Sequence, residues 1–157
     1  MFGVFISVYW GSGFRLLDSV TINMKYTPRL ISSLASNEVF VYGANTAGIH
    51  GAGAAKAAMR WGAQYGKYGY RGQTYGIPTK DSKIQTLSLD KIKTYVDEFL
   101  IFAIDNPDLV FLVTPIGTGL AGYESEDIAP LFSRALFIEN IILPIQFTPH
   151  QKTKKGL

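Results

Sequence analysis

The chain contains no cysteine. That excludes disulfide staples, cysteine-ligated zinc and a cysteine nucleophile, and leaves the redox compartment open. Histidine is nearly as scarce: His50 and His150 stand far apart, and no HExxH or comparable metal spacing occurs. A histidine-rich metal centre is therefore not expected, and no cofactor is called for. Charge is also sparse, at 17% of residues against 47% hydrophobic, which is a globular rather than a disordered composition. The formal net charge is +3, and Lys152, Lys154 and Lys155 account for all of it. The rest of the chain has no basic surplus for phosphate-backbone binding, so nucleic acid is not an expected partner. The tail, 151–157, reads as a solvated terminus.

Long hydrophobic runs are missing too. The apolar and aromatic run before Arg15 is 14 residues, too short to span a bilayer, and it carries neither a basic n-region nor a small-residue cleavage site. No membrane partner is expected, and a cytoplasmic location is. Residues 1–23 admit three readings: an extra strand covering a sheet edge, an interfacial segment, or translated sequence upstream of a start at Met24. The last is preferred, because "MKYTPRLISSLASNEVF" reads as a natural beginning. The chain's 157 residues suffice for one domain with a real core, placed at 24–150. Nothing in the sequence specifies an oligomer.

What is present is an alternation of strands, glycine loops and helices. "VFVYG" (39–43) is a short β-branched and aromatic run, expected as a buried strand. Gly48, Gly51 and Gly53 interrupt regular structure, and an alanine-rich helix is expected from Ala54, with stops at Gly62 or Gly66. Residues 66–73 read as a glycine- and tyrosine-rich loop, 73–78 as a strand ending at Pro78, and 79–83 as a polar turn. Ser88 is a good N-cap for a helix whose apolar stripe runs Leu89, Ile92, Tyr95 or Val96, Phe99, and Phe102 or Ala103, and which Asn106 and Pro107 terminate. "LVFLVT" (109–114) reads as a central strand covered on both faces. A second glycine loop, 115–123, leads into a helix from about Glu126, and "NIILP" (140–144) supplies a last strand. The pattern predicts a three-layer α/β domain with a mixed sheet.

Both glycine loops directly follow strong strands, so both are expected beyond the carboxyl ends of the sheet, where open α/β sheets collect ligands. Glycine lets the backbone approach a phosphate closely, and a helix start offers unpaired N–H groups. Neither loop fits a better-known phosphate motif. Lys56 comes too late for GxxxxGK[ST], and a GxGxxG fit fails where Lys56 replaces the third glycine. Tight turns with no ligand are the plainer alternative.

Asn45, a six-residue spacer and "AGAA" (52–55), followed much later by "VTPIGTGLAGY" (113–123), resemble the macro domain, the ADP-ribose-binding module. The resemblance covers about residues 39–144 and is nearest to small bacterial and phage macro-like proteins. It implies that Gly43, Asn45, Gly51, Gly53, Ala54 and Lys56 form one jaw around a diphosphate, Asn45 meeting ribose hydroxyls. Gly117, Thr118, Gly119, Leu120, Ala121, Gly122 and Tyr123 would form the other, with Tyr123 near the distal ribose. Hydrolytic macro domains carry Gly-Gly-Val or Leu, often followed by Asp, where this chain has Ala52, Gly53, Ala54 and Ala55. Binding tolerates that loss better than hydrolysis does.

The expected function is binding of ADP-ribose or a related nucleotide. If an ADP-ribosyl compound is hydrolysed, Asn45 would position the ribose, with His50 or Asp81 assisting a loop-held water. Each has a plainer role: His50 capping its own loop, Asp81 stabilising a turn. Tyr65, Tyr68, Tyr70 and Tyr75 around Arg71 could stack on a base or simply pack. The alternatives to an enzyme are a protein that sequesters a nucleotide signal without turnover, and a structural or interaction protein.

Overall fold

The computed structural model describes residues 25–149 in full, together with the backbone of two short strands, β1 (Ser7–Trp10) and β2 (Gly13–Leu16). These two pair antiparallel with each other, and the main sheet is built without them. The remaining expectations for residues 1–24, including a start at Met24, and those for His150 and the tail lie outside the described residues.

The body is organised around β3 (Glu38–Asn45), the run expected as a buried strand. Its residues alternate between two apolar clusters, as the two-residue period of a strand dictates. Val39 and Val41 enter the larger cluster, and Phe40, Tyr42 and Ala44 the smaller. Helix α1 (Gly53–Ala58) and the 3-10 turn Met59–Trp61 close over the smaller cluster, with the rings of Phe40 and Trp61 4.9 Å apart. Helix α2 (Leu89–Asp105) covers the other face through Ile92, Val96, Phe99, Leu100 and Ala103. The Ser88 hydroxyl accepts from the Lys91 N–H at its start, and at its end the Asn106 amide donates back to the Phe102 carbonyl, 2.8 Å.

The sheet order is β4 (Gly69–Arg71), β5 (Thr74–Lys80), β3, β6 (Val110–Val113), β7 (Ile141–Ile142). The last four run parallel and β4 is antiparallel at the edge, so this is a mixed α/β sheet. Two expectations need correction. Residues 66–73 are not all loop: Gly72, at φ +55°, turns the chain back so that β4 pairs with β5, and the Thr74 hydroxyl closes the turn on the Arg71 carbonyl. A Cβ on Gly72 would stand 2.6 Å from the Trp61 carbonyl, so only glycine makes this turn. The strand then continues through Pro78 to Lys80, because β4 has ended and Pro78 stands where β5 has one neighbour.

The helix expected from Glu126 is also shorter. Helix α3 (Ser125–Ile128) has one turn, opened by the Glu124 N–H donating to the Asp127 carboxylate, and it passes into 3-10 structure over Ala129–Phe137. Pro130 has no N–H to bond back to residue 126, which interrupts the α-helical ladder. Of the four tyrosines around Arg71, Tyr75 is buried against Phe99 and Phe102, Tyr70 packs on Phe102, and Tyr68 lies edge-on to Tyr95. Tyr65 is exposed. Burial pushes the Tyr75 hydroxyl up to about 12, with Glu98 and Tyr68 adding to the rise. No described helix is long and apolar enough to cross a membrane.

Phe99 is fully buried among the rings of Tyr75 and Phe111, so Phe99→Ala should cost about 3–5 kcal/mol in urea unfolding. On the surface, Asp97 accepts from Lys93 at 2.6 Å and also from Arg134. The hydrogen bond from Lys93, helped by the two positive charges, holds its carboxyl below the ordinary value. A folded-state pKa lowered in this way stabilises above the unfolded value near ~3.9 and is lost as pH falls through the folded one. Asp97→Asn should therefore lose less than about 1 kcal/mol at neutral pH, a gap that closes in melts run below about pH 4.

Candidate functional site

Because β5, β3 and β6 are parallel, their carboxyl ends lie at the same end of the sheet: Lys80 stands beside Asn45, and β6 stops lower, with Val113 beside Val41. The chain leaves β3 toward the face covered by α1. It leaves β6 toward the opposite face, where Ile128 and Phe132 join the larger cluster. Two connections diverging from neighbouring parallel strands leave a crevice between them, at the point where the strand order reverses. A cleft of about 380 Å³ lies there. Its floor includes Gly43, Asn45, Thr79 and Thr114, one wall is Ile49 with residues 51–55, and the other is Pro115 to Gly117 with Gly119, Leu120 and Ala121.

The first loop is held from within. The Asn45 amide donates to the Ile49 carbonyl at 2.8 Å and accepts from the Ile49 N–H at 3.0 Å, so its side chain bridges the turn as a short antiparallel pair would. Gly48, at φ +67°, packs against the following turn and accepts from the Gly66 N–H; a Cβ there would sit 2.2 Å from the Lys67 nitrogen. His50 is buried behind the loop. Its ring lies edge-on to Tyr42, and Nε2 is 2.9 Å from the Gln64 carbonyl. A carbonyl only accepts, so Nε2 donates there, and Nδ1 is buried with no partner among the described residues. Burial raises the Tyr42 hydroxyl beside it to about 12.

The second loop is fastened at both ends. The Thr114 hydroxyl donates to the Val41 carbonyl and the Thr118 hydroxyl to that of Pro115. Gly117, at φ +77°, passes so close to Ile128 that a Cβ would approach its Cδ1 to 2.8 Å. Thr86 ties the loop to the turn after β5 by donating to the Ala121 carbonyl. Tyr123, expected near a ribose, instead turns inward: it packs on the larger cluster and its hydroxyl donates to the Leu87 carbonyl at 2.7 Å.

The structure thus brings together Gly43, Asn45, Gly51, Gly53, Ala54, Gly117, Gly119, Leu120 and Ala121 from the expected residues. It places His50, Lys56, Asp81, Thr118, Gly122 and Tyr123 off the cleft wall. Asp81 is occupied in a turn, its Oδ1 accepting from the N–H groups of Lys83 and Gln85. Lys56 is exposed on α1. Thr79, Lys80 and Ile84 line the cleft without having been expected there. The sequence held a signal for the first two, since β5 delivers its residues to the same end of the sheet. Ending that strand at Pro78 hid them.

Two properties of the cleft bear on its chemistry. Among the described residues, Lys80 is the sole ionisable residue of its lining, which holds no carboxylate or histidine. Among the described residues, the backbone N–H groups of Gly51, Ala52, Gly53, Ala54 and Ala55 reach no protein acceptor, nor do those of Gly119, Leu120 and Ala121. All eight belong to residues of the cleft wall. Gly51 and Gly119 are informative in a second way. Neither has a positive φ, and a Cβ on either would meet nothing within 4 Å. The fold itself gives no reason for glycine at these two positions.

No family model matches the chain, and no curated protein matches it. A solved structure of a protein of unknown function from Bacteroides thetaiotaomicron is similar at a TM-score of 0.50 with 17% identity, over 72% of this chain and 88% of that one. The likeness is one of fold.

The two kinds of glycine separate by mutation. Gly48→Ala should cost more than about 2 kcal/mol, since it meets both a clash and a left-handed backbone. Gly51→Ala and Gly119→Ala should leave thermal stability unchanged or raise it by up to about 1 kcal/mol.

Proposed function

We propose that the cleft binds a nucleotide diphosphate of the ADP-ribose class, and that the protein captures this ligand rather than turning it over. The observation that carries the reading is the pair of facing loops whose N–H groups have no acceptor within the protein. Such donors suit phosphate oxygens, which accept several hydrogen bonds at once. Helix α1 is only six residues long, so its dipole adds little, and the loops' own amides do most of the binding. Lys80 supplies one positive charge at the floor. The volume falls in the range of small-molecule sites, and Ile49, Pro115, Ile116 and Leu120 give it apolar walls that a bare phosphate would not need. The resemblance of both loops to those of macro domains narrows the diphosphate to ADP-ribose and its relatives.

Capture is favoured over hydrolysis because neither expected acid–base group, His50 or Asp81, lines the cleft, and Lys80, which does, suits charge pairing with a diphosphate. His50 is buried behind the first loop and Asp81 is committed to its turn. Asn45 keeps a second amide hydrogen and a second lone pair beyond its bonds to Ile49, enough to orient a ribose hydroxyl while holding the loop.

Thermal-shift and calorimetric titrations of the full chain against ADP-ribose, ADP, NAD, ATP and inorganic pyrophosphate test this. ADP-ribose should bind selectively, and at a hundredfold excess over its Kd should stabilise the fold by about 2.7 kcal/mol. Gly51→Val and Gly119→Val should lose that binding while folding normally, and mass spectrometry should find the ligand unchanged. The absence of a shift with every nucleotide would make both loops structural.

A further inference from the structure

Ile84 is the one non-glycine residue among those described with a left-handed backbone, at φ +63°. A β-branched side chain is a poor choice there, because its Cβ crowds the neighbouring carbonyl. The conformation is imposed by a tight brace. Asp81 Oδ1 accepts from the N–H groups of Lys83 and Gln85 at 2.8 and 2.9 Å, and the Asp81 N–H donates to the Gln85 carbonyl. The Ile84 N–H donates to the Asp81 carbonyl, so the residue has no freedom to relax toward ordinary φ. Thr86 then joins this turn to the second glycine loop through Ala121.

The result is that Ile84, 43% exposed, lines the cleft, as does Leu120, 74% exposed, on the loop after β6. Two large apolar side chains are held in water at one cleft, one of them on an unfavourable backbone. Glycine or asparagine would suit this turn better in the free protein. Apolar surface there becomes favourable once something covers it.

We propose that Ile84 is a specificity-determining residue, forming with Leu120 an apolar clamp on the nucleoside part of a nucleotide whose diphosphate lies on the loop amides. The occupant is a ribose or base face adjoining the diphosphate, so the clamp selects organic diphosphates over inorganic ones. This inference rests on the nucleotide reading above. Asp81 is then a positioning residue: it shapes the turn that presents Ile84 and does not touch the ligand.

The test is calorimetry with ADP-ribose and with inorganic pyrophosphate on the wild type, Ile84→Gly and Ile84→Asn. Both substitutions accept a left-handed backbone, so both should fold and melt at or above the wild-type temperature. Each should weaken ADP-ribose binding about tenfold and change pyrophosphate binding less than about twofold. Unchanged ADP-ribose affinity in a wild type that binds it would overturn the clamp and leave the nucleotide reading standing. Equal losses for both ligands would also overturn it, by showing that the turn merely shapes the loops. A wild type that binds neither ligand would remove the nucleotide reading and the clamp together.

Discussion

The cleft depends on one side chain's hydrogen bonds to the backbone of one residue. Asn45 ends β3 and spends its amide on both polar atoms of Ile49, so the chain must turn immediately and emerge on the α1 side. Without that brace, the Ile49 N–H and carbonyl would lose their partners, and the wall at 51–55 would lose the anchor that precedes it. The same economy recurs in the other two segments at this end of the sheet. Asp81 braces the turn after β5 and Thr118 caps its own loop after β6. Three short polar side chains therefore fix three loops locally, and in the two glycine loops the amides of 51–55 and 119–121 are left without partners among the described residues.

Rigid loops with unspent donors are suited to binding by pre-organisation. Their N–H groups are ordered during folding, when burial of Val39, Val41, Phe99 and Phe111 offsets the entropy, and not at the moment of binding. A site of this kind recognises charge distribution and shape. Among the described residues its lining holds no carboxylate and no histidine, and Lys80 is its ionisable side chain.

Much of this was legible in the sequence, for physical reasons that differ by element. β3, β6 and α2 were visible because apolar periodicity reports burial directly, and Ser88 and Asn106 mark the ends of α2 by their capping chemistry. The β4–β5 hairpin escaped because Gly72 and Gln73 lie in a run so rich in glycine and tyrosine that the turn does not stand out from its flanks. At the site, glycine spacing located both loops correctly but could not tell Gly48 and Gly117, which packing requires, from Gly51 and Gly119, which it does not. His50, Asp81 and Tyr123 have the right chemistry for function; their hydrogen bonds, fixed only by the folded chain, commit them elsewhere. Ile84 could not have been found, since a hydrophobic residue in a polar turn carries no mark of the backbone it adopts.

The segment leading into the body is tied to the far edge of the sheet. Thr27 donates its N–H to the Leu143 carbonyl and its hydroxyl to that of Ile142, stitching the approach to the sheet onto its last strand. Thr27 and residues 142–143 are thus neighbours, and the chain between them returns to the place it left. Which bond along a closed circuit is left open is a matter of convention to the packed core. A linker joining residues 25 and 149, with new ends opened in the exposed turn at 107–108, would keep every strand pair of the five-stranded sheet in register. In that sense the order of the elements along the chain is separable from their arrangement in space, and the cleft belongs to the arrangement.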